Sequence, residues 1–482
     1  MTKAGAYAIT RNAATGLPEA VSDAAAGGTL NIARAFNAFG ELDGQTYTVN
    51  GQHAFAWNVT RDAAGRITRK TETTRDVATG QPVPVVYDYA YDNMSRLLTV
   101  KANDTLVEEY RYNAQGARIY EMNARRGISG RAYEYSIEDH LVRAGDATYE
   151  YDADGVLRRK TESGQITLYS YSSRGELLRV DLPDGRVIEY VNDPQGRRIA
   201  KKINGQVVEK YLWLGLTRLL AVYDGANALL YRYEYGDERT PLAVVTDGQK
   251  YLMHYDQVGT LRLMTDVAGT VMKEVKYDSF GNILSDTRPG MSYFAFAGGL
   301  YDSDTGLTRF GHRDFDAKIG VWTAKDPIFF QGNDIDIYNY CLNNPILLFD
   351  SMGLFAKPYW MGGGQASGML GFAGGGISAG LAGAGGNICA YLTICVRFGF
   401  GAFAGAGGFG GLGLVPNDAS DLAGWSAGLG FDAGAGPSIG GGLGIGLGSK
   451  GPTSGGGGRG KGGVGYGLCY GADICYTVLV CP

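Results

Sequence analysis

Tyr91-Asp92-Asn93-Met94-Ser95-Arg96-Leu97 is a phrase that the chain keeps repeating. It returns as Tyr112-Asn113-Ala114-Gln115-Gly116-Ala117-Arg118-Ile119, as Tyr151-Asp152-Ala153-Asp154-Gly155-Val156-Leu157 and as Tyr171-Ser172-Ser173-Arg174-Gly175-Glu176-Leu177. Later copies read Tyr255-Asp256-Gln257-Val258-Gly259-Thr260-Leu261 and Tyr277-Asp278-Ser279-Phe280-Gly281-Asn282-Ile283. Asp or Asn opens a turn by bonding its own backbone, and Gly accepts the positive φ that closes it. Alternation around the turns, as in Tyr231-Arg232-Tyr233-Glu234-Tyr235, sets aromatics on one face and charge on the other. A spacing of roughly twenty residues suits a strand-turn-strand unit, and stacked hairpins bury what a lone hairpin cannot.

Working outward, the 482 residues divide by composition. Most of the 32 tyrosines precede residue 350, whereas 42 of the 76 glycines lie in residues 355–482. A chain of this length needs more than one core. The net charge of −5 gives no reason to expect a nucleic-acid partner. The start, Met1-Thr2-Lys3-Ala4, lacks the charged and apolar regions of a secretory signal.

These phrases resemble the YD-repeat/RHS family, which includes the C component of bacterial toxin complexes. The resemblance covers residues 5–354 and is sharpest in the core-associated signature. That signature runs Gly299-Leu300-Tyr301-Asp302-Ser303-Asp304-Thr305-Gly306-Leu307, Gly320-Val321-Trp322-Thr323-Ala324-Lys325-Asp326-Pro327, Tyr338-Asn339-Tyr340-Cys341-Leu342-Asn343-Asn344-Pro345 and Phe349-Asp350-Ser351-Met352-Gly353-Leu354. It implies an all-β chain: an antiparallel YD-repeat β-spiral shell, forming part of a cocoon, followed by a glycine-rich, mostly β C-terminal domain. The expected domains are a repeat shell at 1–297, the core-associated motif with a self-cleavage site at 298–354, and a variable cargo or toxin domain at 355–482. Shells of the family are longer, so a truncated gene or a displaced terminal cassette is expected.

The resemblance also implies self-cleavage by the aspartates of two DPxG-type motifs. Carried over here, Asp326 and Asp350 are the catalytic pair and Leu354–Phe355 is the bond. An aspartyl protease needs two carboxylates close enough to share a proton. From the residues alone, either aspartate reads equally as a turn opener. The sequence departs from the pattern twice, with Phe329 where Gly is usual and Ser351 where Pro is usual. The missing glycine is expected to hinder a tight turn. Arg313 and Asp316 lie in His312-Arg313-Asp314-Phe315-Asp316; an arginine near a carboxylate pair would hold one member ionised, but a surface salt bridge explains it as well, so both stay outside the expected set.

After Leu354 the composition changes abruptly. Residues 355–482 hold four acidic and five basic residues, with no histidine and no glutamate. That excludes a histidine-dependent nuclease, a zinc deaminase and Ser-His or Cys-His catalysis within the tail. An Asp- or Cys-based enzyme remains open. Leu443-Gly444-Ile445-Gly446-Leu447-Gly448 alternates with period two, so the tail reads as strands in a small barrel or sandwich. Cys389 and Cys395 share a C-x5-C frame with Cys469 and Cys475, and Cys481 extends the second series. Six residues on a strand return to the same face, so cross-strand disulfides are expected, with buried thiols as the other reading. CxxC spacing and histidines are missing from the tail, so no metal and no cofactor is expected.

The overall expectation is an RHS-type polymorphic toxin fragment that encapsulates its own tail as cargo and releases it by cutting after Leu354. Made in the bacterial cytoplasm without a signal peptide, it would be exported as an effector or surface protein. An immunity protein, a secretion apparatus and a target membrane are the implied partners. A non-enzymatic surface protein with an adhesive β-tail is the alternative.

Overall fold

Each copy of the phrase closes its hairpin through the same few local bonds. At Asp92, Oδ1 accepts the backbone N–H groups of Met94 and Arg96, both at 2.9 Å. The Asp92 N–H donates to the Arg96 carbonyl and the Ser95 N–H to the Asp92 carbonyl, both at 3.0 Å. Ser95 lies at φ +63, the left-handed conformation that Gly116, Gly155, Gly259 and Gly281 take in other copies. Asp152, Asp256 and Asp278 repeat the side-chain cap. Immediately before each turn the ladder slips by one residue, at Ala90/Tyr91, Arg111/Tyr112, Glu150/Tyr151, His254/Tyr255 and Lys276/Tyr277. An extra residue bends its strand and increases the right-handed twist, so one bulge per repeat coils the sheet.

The tyrosine and arginine of the phrase tie one repeat to the next. Tyr112 Oη donates to the Leu97 carbonyl at 2.8 Å, and Tyr91 Oη to the Ile67 carbonyl at 2.7 Å. Arg96 is held by Asp92 at 2.6 Å, lies 4.9 Å over the Tyr112 ring and donates to the Asn113 carbonyl at 3.0 Å.

The computed structural model describes the backbone of residues 3–4, 6–23, 30–75, 80–215, 217–236, 238–329, 336–354, 359–384, 387–413, 424–448 and 451–480, with side chains between Ala4 and Leu354. Two compact units are present, Met1–Ala356 and Lys357–Pro482. In the first, a 27-stranded sheet runs from β1 (Lys3–Ala4) to β27 (Ile283–Asp286). Its strands pair antiparallel with their sequence neighbours, as the hairpin phrase demands. Among the described residues, helix is confined to single 3-10 turns such as Ala124–Arg126. The fold is all-β, a YD-repeat β-shell.

Coiling brings early strands against late ones. Trp57, 2% exposed, donates from Nε1 to the Tyr255 carbonyl at 3.1 Å. Arg34 pairs with Glu238 at 2.5 Å and Arg262 with Glu72 at 2.6 Å. The core-associated segment packs on the row of turns between them. It contributes a four-stranded sheet of β28 (Leu300–Asp302), β29 (Leu307–Phe310), β30 (Arg313–Asp316) and β31 (Val321–Trp322). Asn344 Nδ2 donates to the Ser95 carbonyl at 2.9 Å, Asn343 Nδ2 to Gly116 at 2.9 Å, Tyr338 Oη to Gly155 at 2.6 Å, and Arg309 Nη2 to Gly196 at 3.2 Å. Each acceptor is the left-handed residue of a turn.

The second unit is one sheet in the order β32 (Tyr359–Ala384), β33 (Asn387–Gly413), β35 (Gly451–Val480), β34 (Gly424–Gly448). All its pairings are antiparallel. Where the alternation left a small barrel or sandwich open, the described backbone is a single four-stranded sheet with β32 and β34 at its edges.

Two glycines test the turn row. Gly164, at φ +77, has open space around its absent side chain, whereas a Cβ on Gly155, at φ +72, would meet Tyr338 Oη at 2.5 Å. Gly164→Ala should therefore cost only the left-handed penalty, about 1 kcal/mol. Gly155→Ala should cost roughly 1–3 kcal/mol more, through the displaced buried hydrogen bond. Urea unfolding followed by tryptophan fluorescence reads the difference; equal midpoints would show that the signature segment does not depend on the turn row.

Candidate active site

The hairpin of β29 and β30 is buried on both faces, which accounts for its sequence. Aromatic Phe310 and Phe315 pack with Trp322 and Tyr340, with ring centroids 4.5–6.3 Å apart. The charged residues between them must then find partners inside. Asp314 is bound by Arg309 at 2.7 Å and by Arg198 at 3.1 Å.

Residues 350–353 lie directly against this hairpin. The His312 N–H donates to the Met352 carbonyl at 2.9 Å. A Cβ on Gly311 would come within 2.4 Å of the Met352 oxygen, and one on Gly353 within 2.5 Å of the Phe310 oxygen. The backbones approach this closely only because both positions are glycine, at φ +45 and +63. The space beside them is a small cleft lined in part by Trp213, Arg309, Gly311 and Ser351.

Arg313 connects the parts. Its Nε donates to the Gly353 carbonyl at 2.6 Å and Nη1 to the Ile337 carbonyl at 3.2 Å. Nη2 lies 2.7 Å from Asp326 Oδ2 and 3.5 Å from Asp350 Oδ2. The guanidinium sits 4.2 Å over the Trp322 ring. Arg313, Asp326 and Asp350 are 4%, 5% and 2% exposed. Burial pushes the Asp326 carboxyl up to about 6; Arg313 and the Ile328 N–H pull it down, and Asp350 pushes it further up.

Asp326 and Asp350, 24 positions apart in sequence, are therefore brought to one nitrogen. The surface salt bridge open to Arg313 is overturned, because a buried residue with both carboxylates on one nitrogen is not a surface ion. The signal was present: an arginine on a strand with no solvent face has to pair inside. Asp316 belongs elsewhere, capping the Lys318 N–H at 2.9 Å and lying 3.9 Å from Lys160.

The hindrance expected at Phe329 does not arise. Phe329 adopts φ +53 itself, and its N–H closes the turn on the Asp326 carbonyl at 2.9 Å. At 50% exposure its ring has room, and Lys325 Nζ lies 5.3 Å from the ring centre. The cost is the left-handed penalty, about 1–2 kcal/mol, rather than loss of the turn. At the other departure, Asp350 Oδ1 accepts the Met352 N–H at 3.2 Å across Ser351. Leu354 is half-buried, whereas Phe355 and Cys481 lie outside the described residues. Cys389 and Cys395 fall on β33, and Cys469 and Cys475 on the adjacent β35. Among the described residues no three His, Cys, Asp or Glu side chains group as a metal site. None of their helices is long and apolar enough to cross a membrane.

A family model, the Teneurin YD-shell, matches residues 1–346. The chain belongs to that family. Teneurin-3 of Danio rerio is 28% identical over 330 residues, covering 66% of this chain and 12% of the relative. Teneurin-1 of Homo sapiens is 28% identical over 326 residues, covering 65% and 12%. A tRNA3(Ser)-specific nuclease, WapA, of Bacillus spizizenii is 28% identical over 275 residues, covering 55% and 12%. The chain thus spans about an eighth of these relatives' length, 12% in each case. Among solved structures, TcdB2-TccC3-TEV matches with a TM-score of 0.40 at 18% identity, covering 72% of this chain and 21% of that one.

The raised Asp326 carboxyl gives a pH test. A carboxyl that titrates higher in the folded state adds stability fully present below its unfolded value of 3.8 and lost as pH rises through about 6. Asp326→Asn should remove this slope, so its melting temperature should gain on the wild type between about pH 4 and 6 and run parallel above. Parallel curves throughout would mean that Asp326 is not held in this environment. Arg313→Met, which takes the buried cation from both carboxylates, should cost about 3–5 kcal/mol in urea unfolding at pH 7.5.

Proposed function

We propose that this YD-shell protein cuts itself between Leu354 and Phe355, using Asp326 and Asp350, and so separates the shell from its 355–482 tail. The observation that supports this is the convergence of both carboxylates on Arg313, whose Nε holds the carbonyl of Gly353, the residue before Leu354. One carboxyl, kept protonated, donates to the Leu354 carbonyl oxygen while the ionised partner takes a proton from the attacking water; that proton passes to the Phe355 nitrogen as the Leu354–Phe355 bond breaks, leaving a carboxyl on Leu354 and a free amine on Phe355. Burial that raises Asp326 favours it as the acid. Arg313 fixes both carboxylates and the backbone they act on.

The shell then serves as container and the tail as cargo, in an exported effector whose producer carries an immunity partner. The tail works without histidine or glutamate, and a membrane is its proposed target. One observation favours the adhesive reading instead. The tail's strands run 25–30 residues, whereas a membrane crossing takes about 9–11.

Freshly purified protein should give two masses that co-elute, meeting at Leu354–Phe355. Asp326→Asn and Asp350→Asn should each leave one full-length mass, with folding verified by circular dichroism. A single full-length mass in the wild type, stable over days at pH 5 to 8, would end the protease reading. Dye release from anionic liposomes by the cleaved protein, but not by the uncleaved variants, would separate the membrane reading from the adhesive one.

A further inference from the structure

We infer that Cys395 and Cys475 form a cross-strand disulfide that locks β33 to β35, and that Cys469 is left outside it. In the β33–β35 ladder Cys395 is the direct partner of Cys475. Cys469 is opposite Gly401 on one side and Asp432 on the other, and Cys389 is opposite Ala382 on β32. Directly opposed residues of an antiparallel pair have Cα atoms about 4.5–5.5 Å apart, inside the about 4.4–6.8 Å that a disulfide spans. The ladder runs from Ala390–Val480 to Gly413–Gly457 without a register shift. Cys469 has no counterpart six positions beyond Cys395, where Gly401 stands.

The composition explains why a covalent lock belongs here. Strand register is set by the side chains on a buried face and is weakly specified in glycine-rich strands. Facing positions such as Gly405–Gly465, Gly407–Gly463 and Gly408–Gly462 offer no side chain to distinguish one register from the next. The disulfide selects one. Two thiols lose two protons and two electrons to form the S–S bond, and a disulfide oxidant such as glutathione disulfide is reduced to two thiols.

Both cysteines lie on the same side of Leu354, so the result does not depend on self-cleavage. The full chain, equilibrated with glutathione disulfide, would be alkylated under denaturing conditions and digested unreduced with chymotrypsin, which cuts after Tyr391, Tyr470 and Tyr476. The expected products are a Cys395–Cys475 linked peptide and an alkylated Cys469. Cys469 linked to either β33 cysteine, or Cys395 recovered alkylated, would overturn the inference. As a second arm, Cys475→Ser should slow migration on non-reducing gels, whereas Cys469→Ser should migrate as the wild type does. Equal shifts in both variants would overturn it as well.

Discussion

The left-handed residue that closes each turn is the constraint on which the shell depends. It completes the hairpin, and it accompanies the one-residue slip that bends the strand before the next repeat. It also leaves a carbonyl available to the core-associated segment. Ser95, Gly116, Gly155 and Gly196 each accept a bond from that segment, through Asn344, Asn343, Tyr338 and Arg309. Four anchors drawn from separate repeats hold one irregular stretch of chain. The loops that carry Asp326 and Asp350 are placed by this docking rather than by strands of their own. Local turn chemistry is thus the first link in the chain of causes that ends at the candidate site.

Charge carries the second layer of specificity. The interior where strands face each other holds Glu72 with Lys70 and Arg262, and Glu121 with Arg126 and Arg131. Burying such pairs gains little net stability, because desolvation offsets most of the attraction. A wrong pairing, however, would strand a buried ion at a cost of several kcal/mol. Each ion pair therefore penalises an arrangement of the strands that separates its members. Asp278 shows how tightly the balance is set. Burial and the nearby Glu108 push its carboxyl up to about 7, although Arg126 and the Asn282 N–H pull the other way.

What was legible in the sequence was what is local. The Asp cap, the left-handed position and the alternation act within a few residues, so the all-β repeat sheet could be read directly from the phrase. Asp326 and Asp350 stood out only through a family pattern, because nothing in a separation of 24 positions reveals distance in space. Arg313 reads equally as a surface ion for the same reason: its partners arrive from two later loops. Phe329 misled for a different one. The rule that glycine favours positive φ is statistical, and an exposed aromatic can take the conformation at a modest cost. In the tail, the period-two alternation announced strands, but alternation carries no information on how many sheets they form.

The two units solve the register problem by opposite means. In the shell, the hairpins that open at Asp92, Asp152, Asp256 and Asp278 begin at turns whose capping bonds fix the first pair, and Tyr-to-carbonyl bonds such as those of Tyr91 and Tyr112 pass that alignment to the next repeat. An error at one turn is thus confined to strands of a few residues, such as the six of Leu97–Ala102. The tail has strands of 25 to 30 residues and few side chains to read. One slipped turn there would displace every pair along the whole ladder at little energetic penalty. Short strands with many turns suit a wall that must take one shape as soon as it is made. Long glycine-rich strands suit a domain whose final register is selected later, by chemistry outside the backbone.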